Sequence, residues 1–222
     1  MLTKTEGIVM NYLKYRDTSI IVRIFTREYG LQSYIINGIR SQKSRKSIGL
    51  FQPFTILDLV VYHNPKTDLN RLSEYKNHIP LNSVHYDIGK STIALFLTEV
   101  LIKTLSEHFE DDNPQFDFLK RSIIQFDALE KGYENFHLFF LINYANFLGF
   151  GIYDMQDIDM QGDEELHYYL SAVSQEAIYP QVASSQKVRR KALDMLISYY
   201  SEHLDNLGKI KSLEVMYQIF AE

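Results

Sequence analysis

Ser19-Ile20-Ile21-Val22-Arg23-Ile24-Phe25-Thr26-Arg27-Glu28-Tyr29-Gly30-Leu31-Gln32-Ser33-Tyr34-Ile35-Ile36-Asn37-Gly38 decides the fold. Two β-branched, apolar runs are each closed by a turn signal, Tyr29-Gly30 and Asn37-Gly38, and neither run has a helical period. Upstream, Ile8, Met10 and Tyr12 alternate with more polar neighbours, which predicts a strand before the first run. Downstream, Phe54 to Tyr62 and Leu69 to Tyr75 read as two more strands, separated by the loop His63-Asn64-Pro65-Lys66. Five short strands without an intervening helix predict a small closed β-barrel over residues 1–80. The OB-fold is the commonest five-stranded form, and an SH3-like barrel is the main competitor.

After Pro80 the period changes. Ile93, Leu97, Val100, Leu101 and Leu105 recur at helical spacing, as do Phe116, Leu119, Ile123, Phe126 and Leu129. Asn113-Pro114 predicts the start of the second helix, with Asn113 as N-cap and Pro114 at the first helical position. Phe136 to Leu148 is a third predicted helix, closed by Gly149. Residues 150–180 read as an acidic, aromatic, turn-rich stretch. Ser185 to Leu204 and Lys211 to Phe220 complete a mainly α-helical domain over 81–222, so the fold class is α+β multidomain.

The chain's 222 residues are 45% hydrophobic, enough for two modest cores. It has no cysteine, which excludes disulfides, thiol nucleophiles and cysteine-ligated zinc. The first residues run directly into β-prone sequence, which predicts that no signal peptide is removed. Phe136 to Tyr153 is apolar but interrupted by His137, Asn143 and Asn146, as expected of a buried helix and not of a membrane span. A soluble, cytoplasmic protein is expected, with no membrane contact.

The net charge of -5 conceals a segregation. Residues 1–80 hold 12 Lys/Arg against 6 Asp/Glu, and the remainder hold 11 against 22. A basic first segment suits a polyanion, and an acidic second segment suits protein partners or solubility. No nucleophile elbow, zinc-protease helix or Walker loop occurs. Gly149-Phe150-Gly151 follows a helix and reads as a helix stop, not a dinucleotide fingerprint. Asp157-Ile158-Asp159-Met160-Gln161-Gly162 fails as a calcium loop at Gln161 and again at Tyr168. The histidines show no ligand spacing. No enzyme activity, metal or cofactor is expected.

Between Glu28 and Asp58 there is no acidic residue, while Arg40, Lys43, Arg45 and Lys46 fall close together. Phosphates require cations free of competing carboxylates, so this loop is the leading candidate for nucleic-acid contact. Tyr12, Tyr15, Phe25, Tyr29, Tyr34, Phe51 and Phe54 interleave with Arg16, Arg23 and Arg27. Stacking combined with phosphate pairing holds single strands on such barrels, although most of these rings are needed in the core and only one or two are expected to be exposed. A second basic run, Lys187-Val188-Arg189-Arg190-Lys191, opens the fourth predicted helix, where cations oppose the macrodipole. It fits a partner or DNA extension as well as an exposed polar face.

Four motifs in order, Glu6-Gly7-Ile8-Val9, Thr26-Arg27-Glu28-Tyr29-Gly30, Asn37-Gly38-Ile39-Arg40 with Lys43-Ser44-Arg45, and Leu50-Phe51-Gln52-Pro53-Phe54, resemble the N-terminal domain of the RecO family. A weaker likeness rests on Arg190 to His203 and on Lys211-Ser212-Leu213. The resemblance implies an OB-fold joined to a helical domain in a DNA repair and recombination mediator. Such a protein binds single- and double-stranded DNA and anneals complementary strands. It works with RecR and the C-terminal tail of the single-strand-binding protein to load RecA. By position the resemblance assigns Arg27, Arg40, Lys43 and Arg45 to DNA binding, and charge adds Lys46. Many relatives carry a four-cysteine zinc site near residues 150–180, and this chain has none. The stretch is therefore expected to be held by packing through Tyr153, Tyr168, Tyr169 and Tyr179. Tyr15-Arg16-Asp17-Thr18-Ser19 also departs from the usual turn. The competing reading is a protein-interaction adaptor whose acidic helical domain binds partners without direct DNA binding.

Overall fold

The computed structural model describes residues 2–40, 45–106, 113–152, 163–174, 179 and 182–220, with backbone alone at 45–47 and 174. Five strands, β1 (Leu2–Tyr15), β2 (Ser19–Thr26), β3 (Gly30–Ile36), β4 (Ile56–Tyr62) and β5 (Leu69–Ile79), close into a barrel in the order β1-β2-β3-β5-β4. Closure depends on β1, which is long enough to pair with β4 through Leu2–Ile8 and with β2 through Gly7–Tyr15. At this crossing a Cβ on Gly7 would lie 2.6 Å from both Ile24 and Leu59, so only glycine lets the strands approach. A register shift between Val9 and Asn11 bends the strand there. All pairings are antiparallel except β3 with β5. This is the OB-fold.

Val9, Ile20, Val22, Ile24, Tyr34, Ile36, Leu57, Leu59 and Val61 fill the barrel, and Ile39 and Phe51 complete its core. Phe51 belongs to a 3-10 helix, Arg45–Phe51, in the β3–β4 connection. The fourth strand starts two residues later than its apolar run. Phe54 has a left-handed backbone (φ 70), with its N–H on the Val9 carbonyl while the Val9 N–H reaches the Thr55 carbonyl.

Among the described residues six α-helices follow: α1 (Ile88–Thr104), α2 (Pro114–Ala128), α3 (Phe136–Tyr144), α4 (Glu164–Ser174), α5 (Gln186–His203) and α6 (Ser212–Ile219). The predicted third helix is α3 plus a 3-10 turn, Ala145–Leu148, closed by Gly149 in the left-handed conformation. Asn113 caps α2 as its sequence predicts, accepting the Phe116 N–H at 2.9 Å. Helix α4 was not expected. It starts at Asp163, whose carboxylate accepts the Leu166 N–H at 3.0 Å.

The chain divides into two compact units, residues 1–86 with 104–124 and residues 87–103 with 125–222. The division falls inside α2, which no single boundary expresses. In the barrel unit, Phe116 of α2 stacks on Phe25 of β2 at 5.8 Å. In the helical unit, Phe126 and Phe136 stack at 4.4 Å, and Tyr179 sets its edge against Phe136 and Phe139. Of the tyrosines expected to hold residues 150–180, Tyr169 and Tyr179 are buried, Tyr168 is exposed, and Tyr153 lies outside the described residues. Among the described residues no helix is long and apolar enough to cross a membrane.

Candidate nucleic-acid interface

Alternate residues of each strand face away from the barrel interior, and register places them in rows around its outside. One row runs Leu2, Tyr62, Arg71, Ile35, Ile21, Leu13. The next runs Leu69, Ser33, Arg23, Asn11. Leu13 is 66% exposed, Leu2 60%, Tyr62 52% and Leu69 39%. Lys14 and Arg16 are exposed where β1 turns into β2. The outer face of β2, β3 and β5 thus carries half-buried Ile21, Arg23 and Ile35 and exposed Leu69 and Arg71, flanked by Leu13 of β1 and with further cations at one end.

The β4–β5 loop borders the same face. Asn70 accepts the Asn64 N–H at 2.8 Å through its side chain and so shapes this loop. A groove of about 360 Å³ lies between the loop and the β2–β3 hairpin, lined by Arg23, Gln32, Asp68 and the stacked pair Tyr29 and His63. The two rings are 4.0 Å apart at 15°. Oligonucleotides bind OB-folds on the β2–β3 face between the β1–β2 and β4–β5 loops.

The residues assigned from sequence fare unequally. Arg27 lies in the β2–β3 turn, where its guanidinium meets Glu6 at 3.0 Å and Asp117 of α2 at 2.8 Å and covers the Phe116 ring at 4.5 Å. Arg40 turns toward the β1–β2 loop, and its Nη2 donates to the carbonyls of Arg16, at 2.5 Å, and Asp17, at 2.6 Å. It braces that loop, which explains how Arg16 can hold a positive φ of 49. Lys43 lies outside the described residues, as do the side chains of Arg45 and Lys46, whose backbone forms the 3-10 helix. Of the seven aromatics near the cations, Phe25, Tyr34, Phe51 and Phe54 are fully buried, and Tyr12, Tyr15 and Tyr29 are half-buried.

Around Arg27 the structure assembles a charged network that sequence separation hides. Lys120 of α2 donates to Glu6 at 2.7 Å and lies 3.0 Å from His78 Nε2. His78 also meets Asp58 at 2.8 Å. Burial opposes an ionised Glu6, but hydrogen bonds from Lys120 and Arg27 outweigh it and hold its pKa below the usual carboxylate value. The Arg27 hydrogen bond does the same for Asp117. Glu6, Asp58 and His78 are close enough together to bracket a metal ion. The Lys120 ammonium already supplies a positive charge against two of them.

The second basic run of the helical unit is largely engaged. Arg189 donates to the Ser184 carbonyl at 2.8 Å, Arg190 covers the Tyr217 ring at 4.2 Å, and Lys191 pairs with Asp163. Ser185 caps α5 ahead of these cations by accepting the Val188 N–H. His137 is fully enclosed, and burial together with the nearby Arg189 brings its pKa down to about 3. It is a packed neutral residue. The Asp157–Gly162 segment lies outside the described residues.

Fold and surface together define an OB-fold protein with an appended helical domain and a cationic outer barrel face. The family profile described as "Recombination protein O N terminal" matches residues 1–78, and "Recombination protein O C terminal" matches residues 85–181. The chain belongs to the RecO family, whose role is in DNA repair and recombination. It is 33% identical over its whole length to the whole of DNA repair protein RecO of Phocaeicola vulgatus. It is 34% identical to that of Flavobacterium johnsoniae, again over the full length of both. Against that of Bacteroides fragilis it is 32% identical over 99% of this chain and the whole of the relative.

Proposed function

We propose that this protein is a DNA-binding recombination mediator that holds single- and double-stranded DNA on its barrel and anneals complementary strands. With RecR and the C-terminal tail of the single-strand-binding protein, it helps load RecA onto coated single strands. The observation that supports this reading is the outer barrel face, where half-buried Arg23 of β2 and exposed Arg71 of β5 share register rows with exposed Leu13 of β1 and Leu69 of β5, between the two loops that flank OB-fold ligands. Cations capture the phosphates, and the exposed leucines shelter unpaired bases. Arg40 acts by shaping the β1–β2 loop, and Lys43, Arg45 and Lys46 add charge to the β3–β4 connection in sequence. No chemical step is assigned to the protein.

The test is fluorescence anisotropy of a labelled single-stranded oligonucleotide across a salt series. Each phosphate neutralised on a single strand contributes about -0.7 to the slope of log affinity against log salt, so about three to six cations give a slope of roughly -2 to -4. Substituting Arg23 and Arg71 together by alanine lowers affinity and flattens the slope while the melting profile is retained. An absence of binding at low salt favours the adaptor reading, in which the acidic helical unit recruits partners and the barrel's charge is incidental.

A further inference from the structure

Along the outer side of β2 the residues Ile21, Arg23 and Phe25 alternate with core positions, about 6.6 Å apart at two-residue spacing, and Arg27 stands next in that sequence just beyond the strand. Its N–H still continues the ladder, donating to the Glu6 carbonyl at 3.0 Å. A strand of DNA lying along Ile21 and Arg23 from the Arg16 end runs up to α2, whose Phe116 covers Phe25, and Arg27 stands at that edge. There it meets a carboxylate, because Asp117 already occupies the guanidinium Nη2 at 2.8 Å.

The two anions on Arg27 are not equivalent. Glu6 is 22% exposed and is tied to Lys120 as well as to Arg27. Asp117 is 54% exposed and is held mainly by Arg27 itself. Ion pairs at this exposure contribute little net stability, because water competes for both groups. Asp117 accepts a single hydrogen bond from Arg27 Nη2, and a phosphate oxygen accepts such a charge-assisted bond equally well. The exchange of Asp117 for a phosphate therefore costs little, while Glu6 on one side and the Phe116 ring below keep the guanidinium in place.

We infer that Asp117 is an internal stand-in for a backbone phosphate, occupying Arg27 in the free protein and giving way when single-stranded nucleic acid binds the barrel face. The inference rests on the DNA-binding reading above and adds a regulatory element to it. Asp117 raises the threshold for binding and favours strands that reach the hairpin end of the face over short or weakly held ones.

The experiment compares the full-length protein with Asp117→Asn, Arg27→Ala and the double variant, using a labelled oligothymidylate at low and moderate salt. Asp117→Asn removes the anion while preserving shape, and it is expected to tighten binding about twofold to fivefold, matching release of an exposed pair. In the Arg27→Ala background the same substitution should have no effect. Unchanged or weaker binding by Asp117→Asn, with the unaltered protein binding normally, overturns the stand-in and leaves the DNA reading intact. An equal gain with and without Arg27 also overturns it, since the effect is then general repulsion. If the unaltered protein does not bind, the DNA reading itself fails and the stand-in falls with it.

Discussion

Gly7, Arg40 and His137 show three degrees of legibility in single residues. Gly7 sits in a recognisable motif, yet its reason is spatial, because β1 crosses Ile24 and Leu59 too closely for any Cβ. Gly7→Ala is expected to destabilise the barrel by about 1–3 kcal/mol through overpacking, measured as a lower urea midpoint. In the sequence Arg40 stands as a cation of an acid-free loop, because charge is visible there and partners are not. Its guanidinium binds two loop carbonyls, so Arg40→Ala should speed amide exchange at residues 16–18 as well as weaken DNA binding. A purely phosphate-contacting arginine would leave the exchange untouched. His137 has a folded pKa of about 3 against an ordinary 6.5. Between those values the unfolded chain takes up a proton that the folded chain refuses, so stability falls as pH drops through this window, by at most about 1.4 kcal/mol per pH unit. Urea titrations between pH 6.5 and 5 should show this loss, and His137→Gln should flatten it. Glu6 acts in the same direction but only below about its ordinary value of 4.5, because its folded pKa is lowered. Its ion pairs are intact above that range and are lost as acid protonates it.

At the scale of elements, capping and periodicity were the readable signals. Asn113-Pro114 marked the start of α2 correctly because an N-cap is a local contact, made within three residues. Helix α4 obeys the same rules, with Asp163 as cap and Leu166, Tyr169, Leu170 and Val173 buried at helical spacing. It went unread because acidic and turn-forming neighbours masked an apolar stripe only two turns long. Asp163→Ala should loosen the first turn of α4 by removing its cap, visible as faster exchange of its first amides. No local signal reveals that the start of α2 serves the barrel. Phe116 covers Phe25 there, both rings fully buried, and Phe116→Ala should cost about 3–5 kcal/mol. That loss should appear in the barrel strands, outside the helix that carries the substitution.

For the whole molecule, the segregation of charge predicts behaviour in salt. Residues 1–80 carry the excess of cations within a chain of net charge -5, so DNA affinity should fall steeply with ionic strength despite the acidic isoelectric point, in the anisotropy series described above. Long-range attraction follows the local field of the barrel more than net charge, which is screened over about 10 Å at 0.1 M salt. The sequence by itself determined a small five-stranded barrel followed by a helical domain, because strand alternation, turn residues and caps are short-range physics written in adjacent positions, and the four ordered motifs added the resemblance that implied the family and the OB-fold. Tertiary structure alone decided which cations are available. In the free protein Arg40 holds a loop, Arg27 meets Glu6 and Asp117, and Arg189 donates to Ser184, whereas Arg71 is exposed and Arg23 half-buried on the outer barrel face. The physical reason is that a charge's availability depends on the groups that approach it in space, and here those groups lie up to 90 residues away along the chain.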